Sequence, residues 1–112
     1  MALRPSEWSQ VASAVAGVAT ATRAGEPGRR HYVTGFTLSA SGGPVAAAVA
    51  FQVRDTAVNI RDQVEVPAAV LAPLDVDYDS PIEGPLGASV DATVPSLGAG
   101  IKGTVVIRGY TL

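Results

Sequence analysis

The chain has 112 residues, a net charge of −2 and 16% charged residues, well below the ~25% typical of globular domains. This length predicts one domain, and the scattered basic residues argue against nucleic-acid binding. The absence of cysteine excludes disulfides, thiolate metal sites and thiol catalysis. Because no apolar run is long enough for a signal peptide or a membrane span, we expect a protein that is made in the cytoplasm and stays soluble.

The N-terminal segment is predicted to be an arm followed by an ambiguous stretch. Residues 1–8 include Pro5 and show no periodicity, so they are predicted to form an N-terminal arm, with a single domain over residues 9–112. In residues 8–23, β-branched side chains recur at period two, which predicts two short strands. The alanine content of this stretch leaves a helix over residues 7–16 as the alternative.

The most regular pattern of the chain lies in residues 45–66. Alternate positions are apolar over residues 45–53, and the phase of the alternation flips after Thr56. Since side chains alternate between the faces of a strand, this pattern predicts two strands, each with one apolar side, joined by a tight turn around residues 54–57. The apolar face of the second strand is predicted to consist of Val58, Ile60, Val64 and Val66.

The remaining strands are predicted from the same alternation and from the turn residues between them. They cover residues 31–39, 74–78, 88–94 and 101–110, the last with Ile101, Val105 and Ile107 facing inward. Residues 80–87 contain two prolines and two glycines and are predicted to form a corner loop outside the sheets. Seven or eight strands without intervening helices predict an all-β fold, an antiparallel β-sandwich or jelly roll.

The acidic run over residues 75–79 (DVDYD) is the strongest candidate for a metal site. An EF-hand loop needs glycine at its sixth position and glutamate at its twelfth, where this chain has Ser80 and Leu86. The two-residue spacing instead predicts the solvent-facing side of a strand, with a calcium site assisted by Glu83 as the alternative. We therefore predict no bound metal.

His31 is the only histidine, and it limits the catalytic chemistry that the chain can support. One histidine without cysteine is a poor zinc ligand set, and no serine lies in the strand-to-helix elbow of a hydrolase triad. Its position at a strand start, directly after Arg29 and Arg30, predicts an exposed strand-end residue. We predict no catalytic or cofactor-binding residue and expect that the protein is not an enzyme.

Asp62 interrupts the apolar face of its strand. It is predicted either to mark a β-bulge or to be a buried carboxylate paired with Arg54 or Arg61. Because no second carboxylate can be placed beside it, a structural role is favoured over a catalytic one.

Trp8, at the end of the arm, has two interpretations. It either closes one end of the sandwich or anchors the arm to a neighbouring subunit, as buried tryptophans commonly do at interfaces. Under the second interpretation, Arg4 and Trp8 are the predicted interface residues.

The order of several short segments resembles that of a known family. The segments are HYVTGFTLSA, a hairpin with VRD at its turn, VEVPA, PIEGPLGASVDATV and a terminal GTVVIRGYTL. Over residues 32–112 this succession resembles small β-sandwich virion structural proteins of tailed bacteriophages, in which a YITG-like element, an aliphatic strand, an LPA element, a PLRGTAG loop and a closing GY strand follow one another. The loop over residues 82–87 departs from the usual spacing of that family.

The resemblance implies a capsid decoration (cement) protein on the surface of a phage particle. In that role the chain would be synthesised in the host cytoplasm, form a homotrimer and bind the major capsid protein where capsomers meet. Head-fibre and tail-associated adhesion subunits are alternative roles of the same kind. A low-charge sandwich suits such assembly, since strand edges and apolar patches can be covered by other subunits. Neither nucleic acid nor a membrane is an expected partner.

A carbohydrate-binding β-sandwich module is the alternative from a different class. Tyr78, Trp8 and Tyr110 are its candidate sugar-stacking platforms. Such modules present several aromatic side chains on one face, whereas the one Trp, three Tyr and two Phe of this chain are dispersed. A hydrolase is the third interpretation, and it is disfavoured because no cluster of histidine, acid and nucleophile is recognisable.

Overall fold

The computed structural model describes residues 6–112, which fold into eight antiparallel strands in two four-stranded sheets. The strands are β1 (Ser6–Val15), β2 (Ala19–Arg23), β3 (His31–Ser41), β4 (Val49–Asp55), β5 (Asn59–Val66), β6 (Leu74–Glu83), β7 (Val90–Val94) and β8 (Lys102–Thr111). The first sheet has the order β1-β8-β3-β6, and the second has the order β2-β7-β4-β5. The predicted all-β antiparallel fold is confirmed, and the described residues contain no helix that could cross a membrane.

Residues 8–23 form two strands, as the period-two pattern predicted, and not a helix. β1 pairs with β8 along its whole length. Residues 6–8, which the sequence placed in the arm, therefore belong to the first sheet. Residues 1–5, including the predicted interface residue Arg4, lie outside the described part of the chain.

The central hairpin consists of β4 and β5, joined by a tight turn over residues 56–58. Thr56 and Ala57 have φ angles of 51° and 62°, and the Val58 N–H donates to the Asp55 carbonyl over 3.2 Å. Two successive residues with positive φ are typical of a type I′ turn, whose twist matches that of the strands it joins. The tight turn predicted around residues 54–57 is therefore confirmed.

The second strand of this hairpin contains a bulge that changes which side chains face the core. Val53 pairs with Asp62 and Arg54 pairs with Ile60, so Arg61 is an extra residue in the ladder. A bulge of this kind shifts the phase of the alternation, and Ile60 is 53% exposed. The prediction that Val58 and Ile60 face the core is therefore wrong, and both residues lie between the turn and the bulge.

β6 continues through residues that were predicted to leave the sheet. It runs through Pro81 and ends at Glu83. The strand lies at the edge of the first sheet, and its register with β3 is irregular between residues 77 and 82. A proline is tolerated there because an edge strand pairs on one side only and the irregular stretch leaves ladder positions unpaired. The predicted corner loop over residues 80–87 is therefore wrong for its first half.

The core is a thin layer between the two sheets. Phe36 from the first sheet and Phe51 from the second are fully buried, and their ring centroids lie 4.4 Å apart. Valine and alanine supply most of the other buried apolar side chains. The predicted inward residues of the last strand segment are all buried, namely Ile101, Val105 and Ile107.

Candidate functional site

His31 begins β3 at one end of the sandwich and is 1% exposed. Its Nδ1 lies 2.7 Å from the Thr111 hydroxyl oxygen, and its Nε2 lies 2.7 Å from the Ala24 carbonyl oxygen. The prediction of an exposed strand-end residue is therefore wrong. The register of the first sheet is the reason, because it pairs His31 with the last residue of β8 and brings the Trp8 ring beside it.

The hydrogen-bond partners of His31 define its tautomer. A carbonyl oxygen can only accept, so Nε2 carries the proton and donates to Ala24. In the neutral ring Nδ1 then accepts, and the Thr111 hydroxyl donates to it. The same hydroxyl oxygen accepts from Trp8 Nε1 over 3.0 Å. Thr111 therefore joins two buried side chains, and we call Trp8, His31 and Thr111 the buried cluster.

Trp8 fills the space next to His31. The indole is 9% exposed and lies edge-on to the imidazole, with ring centroids 5.6 Å apart. The Arg23 guanidinium lies 5.6 Å from the indole centroid, within cation–π range. Gly109 leaves room for the indole, since a Cβ there would lie 2.7 Å from it. Trp8 thus closes one end of the sandwich, as the first of its two interpretations predicts, and a contact with another subunit stays a prediction.

The buried cluster connects strands and is closed to solvent. Both imidazole nitrogens of His31 are hydrogen-bonded within the chain. In this arrangement His31 can take a proton from a substrate only after a buried hydrogen bond has been broken. The hydrogen bonds of the cluster tie β1, β3 and β8 together at this end of the first sheet.

On the outer face of the first sheet, Arg108 binds two aspartates of the acidic run. Its Nη2 lies 2.8 Å from Asp75 Oδ1 and 3.1 Å from Asp77 Oδ1, and its Nη1 donates to the Thr37 hydroxyl over 2.7 Å. Gly35 permits this approach, because a Cβ there would lie 2.8 Å from the guanidinium. Hydrogen bonds from Arg108 and Thr37 hold the pKa of Asp75 below its ordinary value.

The acidic run forms the solvent-facing side of β6, as its two-residue spacing predicted. Asp75, Asp77 and Asp79 are exposed and alternate with the half-buried Val76 and Tyr78. Within residues 6–112, no three His, Cys, Asp or Glu side chains are grouped closely enough to hold a metal ion. The cation that Asp75 and Asp77 face is the Arg108 guanidinium.

A shallow groove of about 460 Å³ crosses the outer face of the first sheet beside Arg108. The residues that line it are Glu7, Trp8 and Ser9 from β1, Arg108 and Tyr110 from β8, and Thr34 from β3. The Tyr110 ring stacks on that of Tyr32, with centroids 4.9 Å apart and planes 10° from parallel. Of the predicted sugar platforms, Tyr110 is thus a partly exposed ring beside a groove, whereas Trp8 is almost entirely buried.

Tyr78, the third predicted platform, is held by a carboxylate of the second sheet. Its hydroxyl donates to Asp62 Oδ2 over 2.6 Å. Burial and the neighbouring Asp62 carboxylate raise the pKa of Tyr78 well above its ordinary value. Asp62 lies directly beside the bulge in β5. The bulge interpretation of Asp62 is therefore confirmed, and its predicted pairing with Arg54 or Arg61 is wrong.

Both of these arginines bind other aspartates. Arg54 forms a bidentate pair with Asp91, at 2.8 and 3.2 Å, and Asp91 is 1% exposed. Arg61 lies 2.8 Å from Asp55, which is also buried. Burial acts to raise the pKa of Asp55, but hydrogen bonds from Arg61 and from two turn side chains outweigh it, so this pKa lies below its ordinary value.

Four exposed apolar side chains lie at the end of the sandwich that holds the buried cluster. They are Val58 (73% exposed), Ile60 (53%), Leu86 (61%) and Leu112 (56%), and we call them the apolar end. The segments that carry them are hydrogen-bonded to one another. Thr56 N–H donates to the Ser89 carbonyl over 3.0 Å, and Gly87 N–H donates to the Arg29 carbonyl over 2.7 Å. Arg30 in turn pairs with Leu112.

No family model and no curated protein matches the chain. Among solved structures, an arabinose-bound MgGH51 α-L-arabinofuranosidase has a TM-score of 0.42 at 10% identity, over 96% of this chain and 18% of that one. CapF with the inhibitor 3-isopropenyl-tropolone has a TM-score of 0.25 at 16% identity, over 86% of this chain and 25% of that one. The chain spans a small part of either protein, and neither similarity is close enough to carry an argument about function.

Two residues that organise these sites, Thr111 and Arg108, were not singled out from the sequence. A signal for Thr111 is present, since it continues the inward alternation of Val105 and Ile107 and so brings a hydroxyl into the core. No local signal identifies Arg108 as the partner of the acidic run. That contact depends on β3 lying between β6 and β8, which alternation along one strand does not encode.

Replacing Thr111 with valine tests the buried cluster. The shape of the side chain is kept, but the Trp8 N–H loses its acceptor and His31 Nδ1 loses its donor. Since each unsatisfied buried group costs about 1–3 kcal/mol, we expect Thr111→Val to lower the free energy of unfolding by at least about 2 kcal/mol in urea denaturation. Thr104→Val on the same strand is the matched control, and an equal effect of both substitutions would contradict the role of the hydroxyl.

The Asp55–Arg61 pair predicts a specific pH dependence of stability. The pKa of Asp55 is lower in the folded chain than its ordinary value of 3.8, so its contribution is complete above about pH 4 and is lost as the pH falls through the folded-state pKa. We expect Asp55→Asn to destabilise the protein at pH 7 and to differ less from wild type at pH 2 to 3. Urea denaturation across this range measures the difference.

The exposed Asp79→Asn substitution is the control for this experiment, because the Asp79 side chain makes no ion pair within the described residues. Its effect should be small at every pH. If Asp55→Asn were as destabilising at pH 2 as at pH 7, the assigned ion pair would not be the source of its effect.

Proposed function

We propose that this protein is a structural virion protein of a tailed phage, and that it decorates the capsid by binding the major capsid protein between capsomers. The observation that supports this proposal best is the apolar end. Single exposed apolar side chains are ordinary, but several of them on segments that are hydrogen-bonded to one another are typical of a surface that binds another protein. We assign the apolar end to contact with the shell.

The surroundings of the apolar end support the same assignment. Exposed ion pairs of Arg29 with Glu26, at 3.9 Å, and of Arg30 with Glu83, at 3.6 Å, lie on the same group of loops. An apolar centre with a polar rim is the usual anatomy of a protein interface. Ser6, the first residue of β1, pairs with Thr111 at this end.

Binding to undecorated capsids tests the proposal. We expect the wild-type protein to co-sediment with such capsids at micromolar concentration, and we expect a Val58→Glu, Leu86→Glu double variant to bind at least ten-fold more weakly. The reason is that two carboxylates would have to be desolvated against the shell. Both side chains are more than half exposed, so the substitutions should leave the fold intact.

The matched control is Val70→Glu in the loop between β5 and β6, which is 82% exposed and lies outside the apolar end. It should bind capsids as well as wild type. No co-sedimentation of the wild-type protein, or equal losses in the control and the double variant, would contradict the proposal.

Carbohydrate binding is the second candidate, and the groove beside Tyr110 favours it. An aromatic ring beside hydroxyl, carboxylate and guanidinium groups is a composition that can bind a sugar. A glycan array should then give hits that Tyr110→Ala removes and that the inward-facing Tyr78→Phe keeps. An array without hits for the wild-type protein would remove this candidate.

A further inference from the structure

The two sheets end in four edge strands, and three of them carry the features that prevent pairing with another chain. Natural proteins protect such edges with charge, proline, bulges or short length. β6 has three aspartates, a proline and an irregular register. β5 has a bulge and several charged side chains. β2 has only five residues.

The fourth edge strand, β1, has none of these features over most of its length. Its sequence is SEWSQVASAV, with Glu7 as its single charged residue and no proline or glycine. Its register with β8 is continuous, without a bulge. On its outer face Val11 is 65% exposed and Val15 is 61% exposed. Within the described residues, its other side pairs with no strand.

The register of β1 also shows which backbone groups point to the free edge. Ala16 N–H donates to the Ile101 carbonyl over 3.1 Å and continues the β1–β8 register. In an antiparallel ladder hydrogen-bonded and non-bonded pairs alternate. The even-numbered residues of β1 therefore bond to β8, and the odd-numbered residues direct their N–H and C=O groups outward. These are Glu7, Ser9, Val11, Ser13 and Val15.

We propose that β1 pairs antiparallel with β1 of a second copy of this chain, about a two-fold axis at Val11. In this register Val11 lies opposite Val11, Ser9 opposite Ser13, and Glu7 opposite Val15. Each of these pairs joins two odd-numbered residues, so the outward backbone groups of one copy meet those of the other. The first sheets of the two copies become one continuous sheet, as in strand addition.

The charges of the strand are compatible with this self-pairing. The single charged residue of each β1 lies opposite a valine, so no like charges face each other across the axis. Lys102 is the β8 neighbour of Val15. Glu7 of the second copy is then two strand spacings, or about 10 Å, from this lysine, and the two charges attract.

A two-fold contact of this kind closes at two copies. It therefore differs from the homotrimer that the family resemblance implies, and the oligomeric state decides between them. Size-exclusion chromatography with light scattering should give twice the chain mass of 11.3 kDa. Val11→Lys should give a monomer, because like charges would face each other at the axis. The control Val58→Lys, at a more exposed position, should remain a dimer.

A cysteine series tests the register itself, and the chain has no cysteine of its own. Residues opposite each other in a hydrogen-bonded antiparallel pair have Cα atoms about 5.5 Å apart, within the range that a disulfide spans. Val11→Cys should therefore cross-link to a dimer under mild oxidation. A mixture of Ser9→Cys and Ser13→Cys should cross-link to each other faster than either does to itself.

Val106→Cys is the matched control for this series. Val106 is the β8 neighbour of Val11 on the same outer face, but the two copies of this position would be about 15 Å apart across the axis. It should cross-link far more slowly than Val11→Cys. A wild-type monomer or trimer in solution would overturn the proposal, and so would equal cross-linking rates at positions 11 and 106.

Discussion

The pairing of β8 with both of its neighbours is the constraint on which the first sheet depends. A continuous register with β1, and a register with β3 that shifts by one residue between Val33 and Gly35, place the even-numbered residues of β8 outward and the odd-numbered residues inward. The inward row ends at Thr111 in the buried cluster, and the outward row carries Arg108 and Tyr110. A slip of one residue would exchange the two rows, expose the core face and bury the Arg108 guanidinium. The cluster, the groove and the free edge of β1 all follow from these two pairings.

Four buried polar side chains lie near one end of the sandwich, and each has a hydrogen-bond partner there; they are His31, Thr111, Asp55 and Asp91. Asp91 and Asp55 are both bound by arginines of the central hairpin. Breaking a buried pair leaves an uncompensated charge, which is strongly destabilising. These pairs therefore fix the hairpin against β7 and against its own turn. A hairpin held in this way keeps the exposed Val58 and Ile60 in a constant position, as an interface made by docking of a rigid surface requires.

Alternation of apolar residues was sufficient to predict the fold class, most strands and the inward residues of the last strand. It failed where the backbone departs from strict alternation. The bulge at Arg61 reversed the phase in β5, and the irregular edge of β6 accommodated Pro81. The ion pair between Arg108 and Asp75 also could not be predicted from the sequence, because it depends on the strand order of the first sheet. His31 is a polar residue that the sequence alone places at a surface, and its burial depends on a hydroxyl from the opposite end of the chain.

The backbone conformation at the tip of the central hairpin depends on hydrogen bonds made by Thr56. Thr56 is β-branched and holds a positive φ, a conformation that such residues rarely adopt. It is retained because the Thr56 N–H is bound by the Ser89 carbonyl and its hydroxyl donates to the Asp55 carbonyl over 2.7 Å. Displacement of the segment around Ser89 would therefore allow the tip to relax into another shape. The conformation of Thr56, and with it the position of the nearby Val58, therefore depends on a segment that lies more than thirty residues further along the chain.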